Sequence, residues 1–319
     1  MDQRASYTLG FGLPSSKAPC EVATIFDLRT TMHSVDLTVA VKNPQITQAK
    51  GPVAVLIAED ESALTESLAH LAKCGFKTRI LVAPQELLKN TPGSDGIVML
   101  AHKTRGPGVT SEIVNTIVKA LPHGTWLYYG YNAEFLFYPF CETRSIGEML
   151  TFHSEERRSA MLTYIIDVYA GDLGQAKNGV ALNDAMLDKS GYYALARKSD
   201  DGTALERQLD FYGGLRWRFE DHIPAERRRI DRIALARTTP GLTLNEDHTW
   251  SIPEYNTYAC PWHHNLTAAI VSFRAAKALT TNPASRHAID TFRWHNSTEF
   301  TWRSRQLLDL GLMEPGQWF

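Results

Sequence analysis

The chain has 319 residues, 44% of them hydrophobic and 21% charged, with 33 Lys+Arg against 35 Asp+Glu for a formal net charge of -2. That length supports a sizeable core in one large or two small domains, and the composition is ordinary for a globular protein. The near-neutral balance argues against nucleic-acid or acidic-membrane binding, and no apolar run approaches a membrane span.

The N-terminus, Met1-Asp2-Gln3-Arg4, lacks a basic start followed by a continuous apolar stretch, so a signal peptide is not visible and a cytoplasmic chain is expected. Cys20, Cys74, Cys141 and Cys260 are scattered and form no Cys-x-x-Cys pair. Reduced cysteines are expected, with no zinc knuckle or thioredoxin-like motif.

In chain order, residues 1–50 read as an N-terminal β extension and residues 51–319 as the main domain. Gly10 to Ser16 is rich in turn residues, and Val35-Asp36-Leu37-Thr38-Val39 alternates like a half-buried strand. Asn43-Pro44 and Gly51-Pro52 then punctuate the chain. Val53-Ala54-Val55-Leu56-Ile57-Ala58 is uniformly apolar, as a parallel strand covered on both faces should be. Glu59-Asp60-Glu61-Ser62 suits a helix start; Leu64, Leu68 and Leu71 share a helical face, and Gly75 stands where a C-terminal cap belongs. Strands are predicted at 76–82, 97–101 and 126–129, with a helix over 110–121 between the last two. Such alternation implies right-handed crossovers and a mainly parallel sheet of α/β class, with ligands bound beyond the carboxyl ends of its strands. Glu59-Asp60 and Asn132-Ala133-Glu134 should therefore share one rim. Farther on, the pattern predicts a strand over 161–169, an Arg-rich block over 216–237, and helices over 266–279 (with Asn265 as N-cap) and 299–310.

The segment Trp-Leu-Tyr-Tyr-Gly-Tyr-Asn-Ala-Glu-Phe-Leu, Trp126 to Leu136, resembles the Asp-x-Asp-Glu-Phe-Leu strand end of family 2 glycosyltransferases. Six further pieces follow that family's branch with an Asp-Ala-Asp-Glu-Phe/Leu motif in order. They are Glu59-Asp60, Glu66-Ser67-Leu68-Ala69-His70, Cys74-Gly75-Phe76, Tyr138-Pro139-Phe140-Cys141-Glu142, Asp167-Val168-Tyr169 and Gly213-Gly214-Leu215-Arg216-Trp217-Arg218-Phe219. His248 and His263-His264-Asn265 are partial partners of two more. The resemblance implies a GT-A-like sheet and sugar transfer, of inverting type, from a nucleotide-sugar donor to a sugar, lipid-linked or polysaccharide acceptor. It also implies a divalent cation, Mn²⁺ or Mg²⁺, held by paired carboxylates against the diphosphate. Tyr131 and Ala133 stand at the two Asp positions, so Glu134 alone is left as a metal ligand and transfer without a metal is expected.

Within that resemblance the residues take candidate roles. Asn132 and Glu134 can orient a donor, as can Glu59 across the rim. Gly213 and Gly214 let backbone approach a diphosphate, and Arg216 and Arg218 can neutralise it. His264 precedes a predicted helix and His248 follows Glu246-Asp247; both are donor-binding candidates. An inverting transfer needs a carboxylate base, for which Asp221 and Asp167 are candidates. Each has a plainer alternative: a turn asparagine, a helix-start or loop acid at Glu134, a packed histidine, or an arginine that is solvated or paired, as expected of Arg227, Arg228, Arg229, Arg232 and Arg237 with Glu220, Asp221 and Glu226. The rival function is a catalytically inactive relative that keeps the fold as a carbohydrate-binding or interaction module. No Gly-x-Gly-x-x-Gly, Walker-type loop or Gly-x-Ser-x-Gly elbow favours another α/β enzyme class.

Overall fold

A computed structural model describes residues 35–40, 42–93, 95–257 and 265–318. His263, His264, Cys20 and Cys260, together with the Gly10–Ser16 turn region, lie outside the described residues. The described chain belongs to one compact unit, Ser34–Phe319.

Strand β1 (Val35–Asp36) leads into two single-turn helices, α1 (Leu37–Ala40) and α2 (Pro44–Thr47). Alternation follows: β2 (Val53–Ile57), α3 (Leu64–Cys74), β3 (Thr78–Ala83), α4 (Gln85–Asn90), β4 (Ile97–Ala101), α5 (Val109–Ala120) and β5 (Trp126–Tyr131). Next come β6 (Glu134–Phe137), α6 (Ile146–Glu155), β7 (Ala160–Ala170), β8 (Ala185–Asp188) and a hairpin of β9 (Tyr193–Lys198) with β10 (Ala204–Tyr212). The chain closes through α7 (Gly214–Arg218), β11 (Asp231–Arg237), β12 (Ala268–Ser272), α8 (Arg274–Thr281), β13 (Ser297–Glu299) and α9 (Ser304–Asp309).

The main sheet has the path β1-β4-β3-β2-β5-β11-β7-β12-β6, with β8 and β13 branching from β7. From β1 to β5 every pairing is parallel. Strand β11 is antiparallel to both neighbours, β12 is parallel to β7, and β6 is antiparallel to β12. The fold is α/β, with a mixed, mostly parallel sheet flanked by helices. Strand β2 is buried along its whole length because helices cover both faces, which is why its sequence lacks alternation. The edge strand β6 is closed by α3: the His70 ring and Cys74 Sγ both bond to Leu136 O, and Ser67 Oγ accepts from Ala133 N.

Several predicted elements differ. Val35–Asp36 is strand, paired with β4, but Leu37 onward turns helical and buries Leu37 and Ile46 in the main core. The acids after β2 form a loop, and α3 begins at Leu64 after a left-handed Ala63. The predicted helix over 266–279 is a strand for its first half: Ala268-Ala269-Ile270-Val271-Ser272 fills the slot between β7 and β6, wholly buried. An apolar run enclosed on both sides satisfies its backbone through two ladders, and local periodicity cannot separate that from a buried helix. The helix predicted over 299–310 is shorter, α9 beginning only at Ser304, and Glu299 ends strand β13. Glu134, for which a loop or helix-start position was the plainer alternative, opens strand β6.

Candidate functional site

The parallel strands β2 and β5 end together, Ile57 opposite Tyr131 in the ladder. Asn132, fully buried, locks the two ends. Its Oδ1 accepts from Glu59 N at 2.9 Å, and its Nδ2 donates to Asp60 Oδ1 at 2.9 Å and Ser62 O at 3.0 Å. The amide thus fixes the loop carrying Glu59 and Asp60. Ala133 then takes a left-handed φ of 59°, turning the chain into β6.

Glu134 sits in the first register row of β6. Ser272 of β12 pairs with Glu134 on one side and with Asp167 of β7 on the other, so the three share a row on one face. At the usual strand spacing the two carboxylates stand roughly 10 Å apart. Each is sealed by an arginine. Glu134 Oε2 accepts from Arg232 Nη2 at 2.6 Å and Tyr131 N at 3.0 Å, while Oε1 accepts from Ser272 Oγ at 3.2 Å. Burial raises the Glu134 pKa, but Arg232 and then Arg274 outweigh it, so the carboxyl stays below its usual range. Asp167 accepts from Arg216 Nε and Arg216 N, each at 3.2 Å; there burial prevails over the guanidinium and the pKa rises.

A second set of cations faces the same rim from α8. Arg274 Nη2 donates to Glu59 Oε1 at 2.7 Å, with its guanidinium carbon 3.5 Å from the centre of the Tyr131 ring. One turn on, Lys277 Nζ lies 2.9 Å from Asp60 Oδ2. Arg105, after β4, donates to Glu59 O at 3.1 Å and lies 3.4 Å from Asp60 Oδ2. Of the rim arginines, Arg105 and Arg274 have the more exposed side chains, at 68% and 28%. His248, at a left-handed φ of 66°, stacks on Tyr129 and bonds its hydroxyl at 3.1 Å. Burial, with repulsion from Arg232 and Arg274, pushes its pKa down to about 3. The rim therefore carries four carboxylates (Glu59, Asp60, Glu134, Asp167) against five cations (Arg105, Arg216, Arg232, Arg274, Lys277) around a neutral histidine. The surplus is positive, which suits an anion.

Glu59, Asn132, Glu134, Asp167, Gly214, Arg216 and His248 thus come together. Gly214 has a φ of 61° and a Cβ there would lie 3.2 Å from Asp167, so this glycine lets α7 start against the carboxylate. Gly213, whose φ is nearly extended, packs on the Tyr192 ring. Arg218 goes elsewhere: it pairs with buried Asp188 at 3.1 and 3.2 Å and lies over Trp294. Asp221 is exposed in the turn Glu220–His222 beyond α7.

Two expectations change. Glu134 does not fit a divalent cation, because both oxygens are occupied and a buried arginine already supplies the opposing charge. Among the described residues, no group of three or more His, Cys, Asp or Glu side chains could hold a metal. Of the arginines expected to be on the surface or paired with Glu220, Asp221 and Glu226, Arg228 does pair with Glu220, whereas Arg232 is buried against Glu134. The sequence reading also missed Arg274, Lys277 and Arg105. The spacing of Arg274 and Lys277 was a usable signal, since positions i and i+3 share a helix face, and both fell within the helix predicted over 266–279.

No protein-family model matches the chain, and no curated protein matches it in sequence. Among the described residues no helix is long and apolar enough to cross a membrane.

Proposed function

We propose that the chain is a GT-A-like glycosyltransferase that moves a sugar from a nucleotide-sugar donor, with guanidinium groups rather than a strand-end cation meeting the diphosphate. The observation carrying this reading is Arg274 resting on the Tyr131 ring. Tyr131 stands at the first Asp position of the resembled motif, and its ring supports the guanidinium of a partly exposed side chain. The parallel strand ends, the Asn132 lock and the surplus positive charge support the same reading. In the transfer, an acceptor hydroxyl oxygen bonds to the anomeric carbon as the bond from that carbon to the phosphate oxygen breaks. The nucleoside diphosphate leaves with the electron pair, and the hydroxyl proton passes to a carboxylate. Of the two sequence candidates for that carboxylate, Asp167 lies at the rim, bonded to Arg216, whereas Asp221 lies in the exposed turn beyond α7, outside the converging residues.

Calorimetry with UDP, GDP and UDP-glucose, with and without EDTA, tests the donor site. Nucleotide binding is expected to survive chelation and to weaken at least tenfold in Arg274→Ala, since a charge-assisted hydrogen bond contributes about 1.5–3 kcal/mol. Loss of binding in EDTA with Arg274→Ala intact sinks the guanidinium account. The sealing of Glu134 and Asp167 favours one alternative, a relative that binds without turnover. Nucleotide binding with neither hydrolysis nor transfer of the labelled donor sugar supports that alternative.

A further inference from the structure

Along β6, Glu134 and Leu136 face one side of the strand, and Phe135 and Phe137 the other. On the phenylalanine side a groove of about 450 Å³ opens between α3, residues 182–183 and residues 299–302. Its volume is that of a small-molecule site. It is separate from the strand-end rim, lying across the strand from Glu134.

The groove's walls have a definite chemistry. No lysine or arginine lines it; the charged groups are the exposed carboxylates of Glu66 and Glu299, with Asn183 and Thr301 beside them. His70 adds a fixed acceptor. Its Nε2 lies 2.7 Å from Leu136 O, and a carbonyl only accepts, so Nε2 carries the proton. Burial lowers its pKa and so favours the neutral ring, whose Nδ1 has a lone pair and no hydrogen-bond partner among the described residues. The floor is aromatic. Trp302 holds a left-handed φ of 57°, rare for a bulky residue. Its indole Nε1 donates to Leu182 O at 3.0 Å, and the ring sits 4.9 Å from both Phe135 and Phe300. Such backbone strain persists only where surrounding contacts over-determine it, and it concentrates at ligand clamps.

We propose that this groove binds a pyranose unit of a neutral saccharide. Acceptor-rich walls meet the hydroxyl donors of a sugar, and the aromatic floor meets the apolar C–H face of its ring. The absence of a lining cation disfavours a phosphate or nucleotide, so the groove and the rim take different ligands. The inference stands without the transferase reading.

Saturation-transfer-difference NMR and tryptophan fluorescence on the full chain test it, with methyl glucopyranoside, cellobiose and maltose as saccharide probes and tetramethylammonium as a cation probe. Saturable saccharide binding is expected, weakened about fivefold or more in the doubly substituted Glu66→Gln/Glu299→Gln chain. Both carboxylates are exposed, so that variant should keep its fold. Trp302→Phe should quench the fluorescence response and weaken binding while retaining an aromatic floor. Arg274→Ala should leave saccharide binding unchanged even where it abolishes nucleotide binding, which separates failure of one site from failure of the other. No binding by any saccharide probe overturns the proposal, as does saccharide binding indifferent to the Glu66/Glu299 substitutions. Binding of tetramethylammonium alone also overturns it and reassigns the groove to cationic ligands.

Discussion

Removing one partner of the Glu134–Arg232 pair strands the other charge in the interior, where two tyrosine rings and Ser272 surround it. Arg232→Met is therefore expected to cost about 3–5 kcal/mol, measured by urea unfolding, and adding Glu134→Leu should recover most of that loss. A double variant no more stable than Arg232→Met would mean that the pair is not the source of the effect. Asp60 makes a second prediction. Burial raises its pKa, but Lys277, Ser62 and their hydrogen bonds win and hold it at about 2. A carboxyl lowered on folding contributes stability above its unfolded pKa of about 4 and loses it as pH falls toward 2. Asp60→Asn should thus be destabilised at pH 7 by about 1 kcal/mol after allowance for solvent screening, with the difference gone near pH 2 in chemical denaturation. At this scale little was legible beforehand. Arg232 belongs to an Arg-rich block, and nothing local indicates a partner 98 positions away.

Among the elements, α6 shows how completely local chemistry can specify a terminus. Ser145 accepts from Glu148 N, and the Glu148 carboxylate accepts from Ser145 N at 2.7 Å, a reciprocal capping box. Ser145→Ala should cost about 1 kcal/mol in thermal or urea unfolding; no measurable change would show the cap to be redundant. The start of α7 depends instead on space. Gly214→Ala puts a methyl group against Asp167 at a left-handed φ, at about 1–2 kcal/mol for the backbone alone. The same variant should disturb the Arg216–Asp167 pair, visible as a changed Arg216 Nε signal in NMR. Strand β12 is the opposite case to α6. Its five residues are strand because β7 and β6 border them on both sides, and neither border is local in sequence.

For the whole molecule, the buried histidines set the response to acid. Burial holds His153 down at about 4 against its Ala160 O bond, and His248 is held at about 3. A histidine kept neutral on folding binds fewer protons than the unfolded chain between its folded pKa and about 6.5, so stability falls as pH drops through that window. The melting temperature is expected to decline from pH 6.5 toward pH 4, before Asp60 begins to protonate. His153→Gln should flatten that limb, by at most about 1.4 kcal/mol per pH unit for the one group. An unchanged slope would remove His153 from the account.

For strands β2, β3, β4 and β5 and helices α3 and α5 the local pattern was sufficient: uniformly apolar strands, amphipathic helices and a left-handed Gly75 cap state their own structure, and together they dictate a parallel sheet with its strand ends on one rim, while α4 carried no such signal. The placement of Glu59, Asn132 and Glu134 at that rim followed from the same logic, because strand ends are fixed by strand position. What the acids and arginines do there was decided by the tertiary structure. Whether Glu134 meets a cation or Arg232, whether Arg216 is open or bound to Asp167, and whether Arg274 reaches Glu59 depend on which strands become neighbours across a hundred or more residues. Periodicity is a property of short segments and charge pairing of the assembled sheet, so the first could be read along the chain and the second only across it.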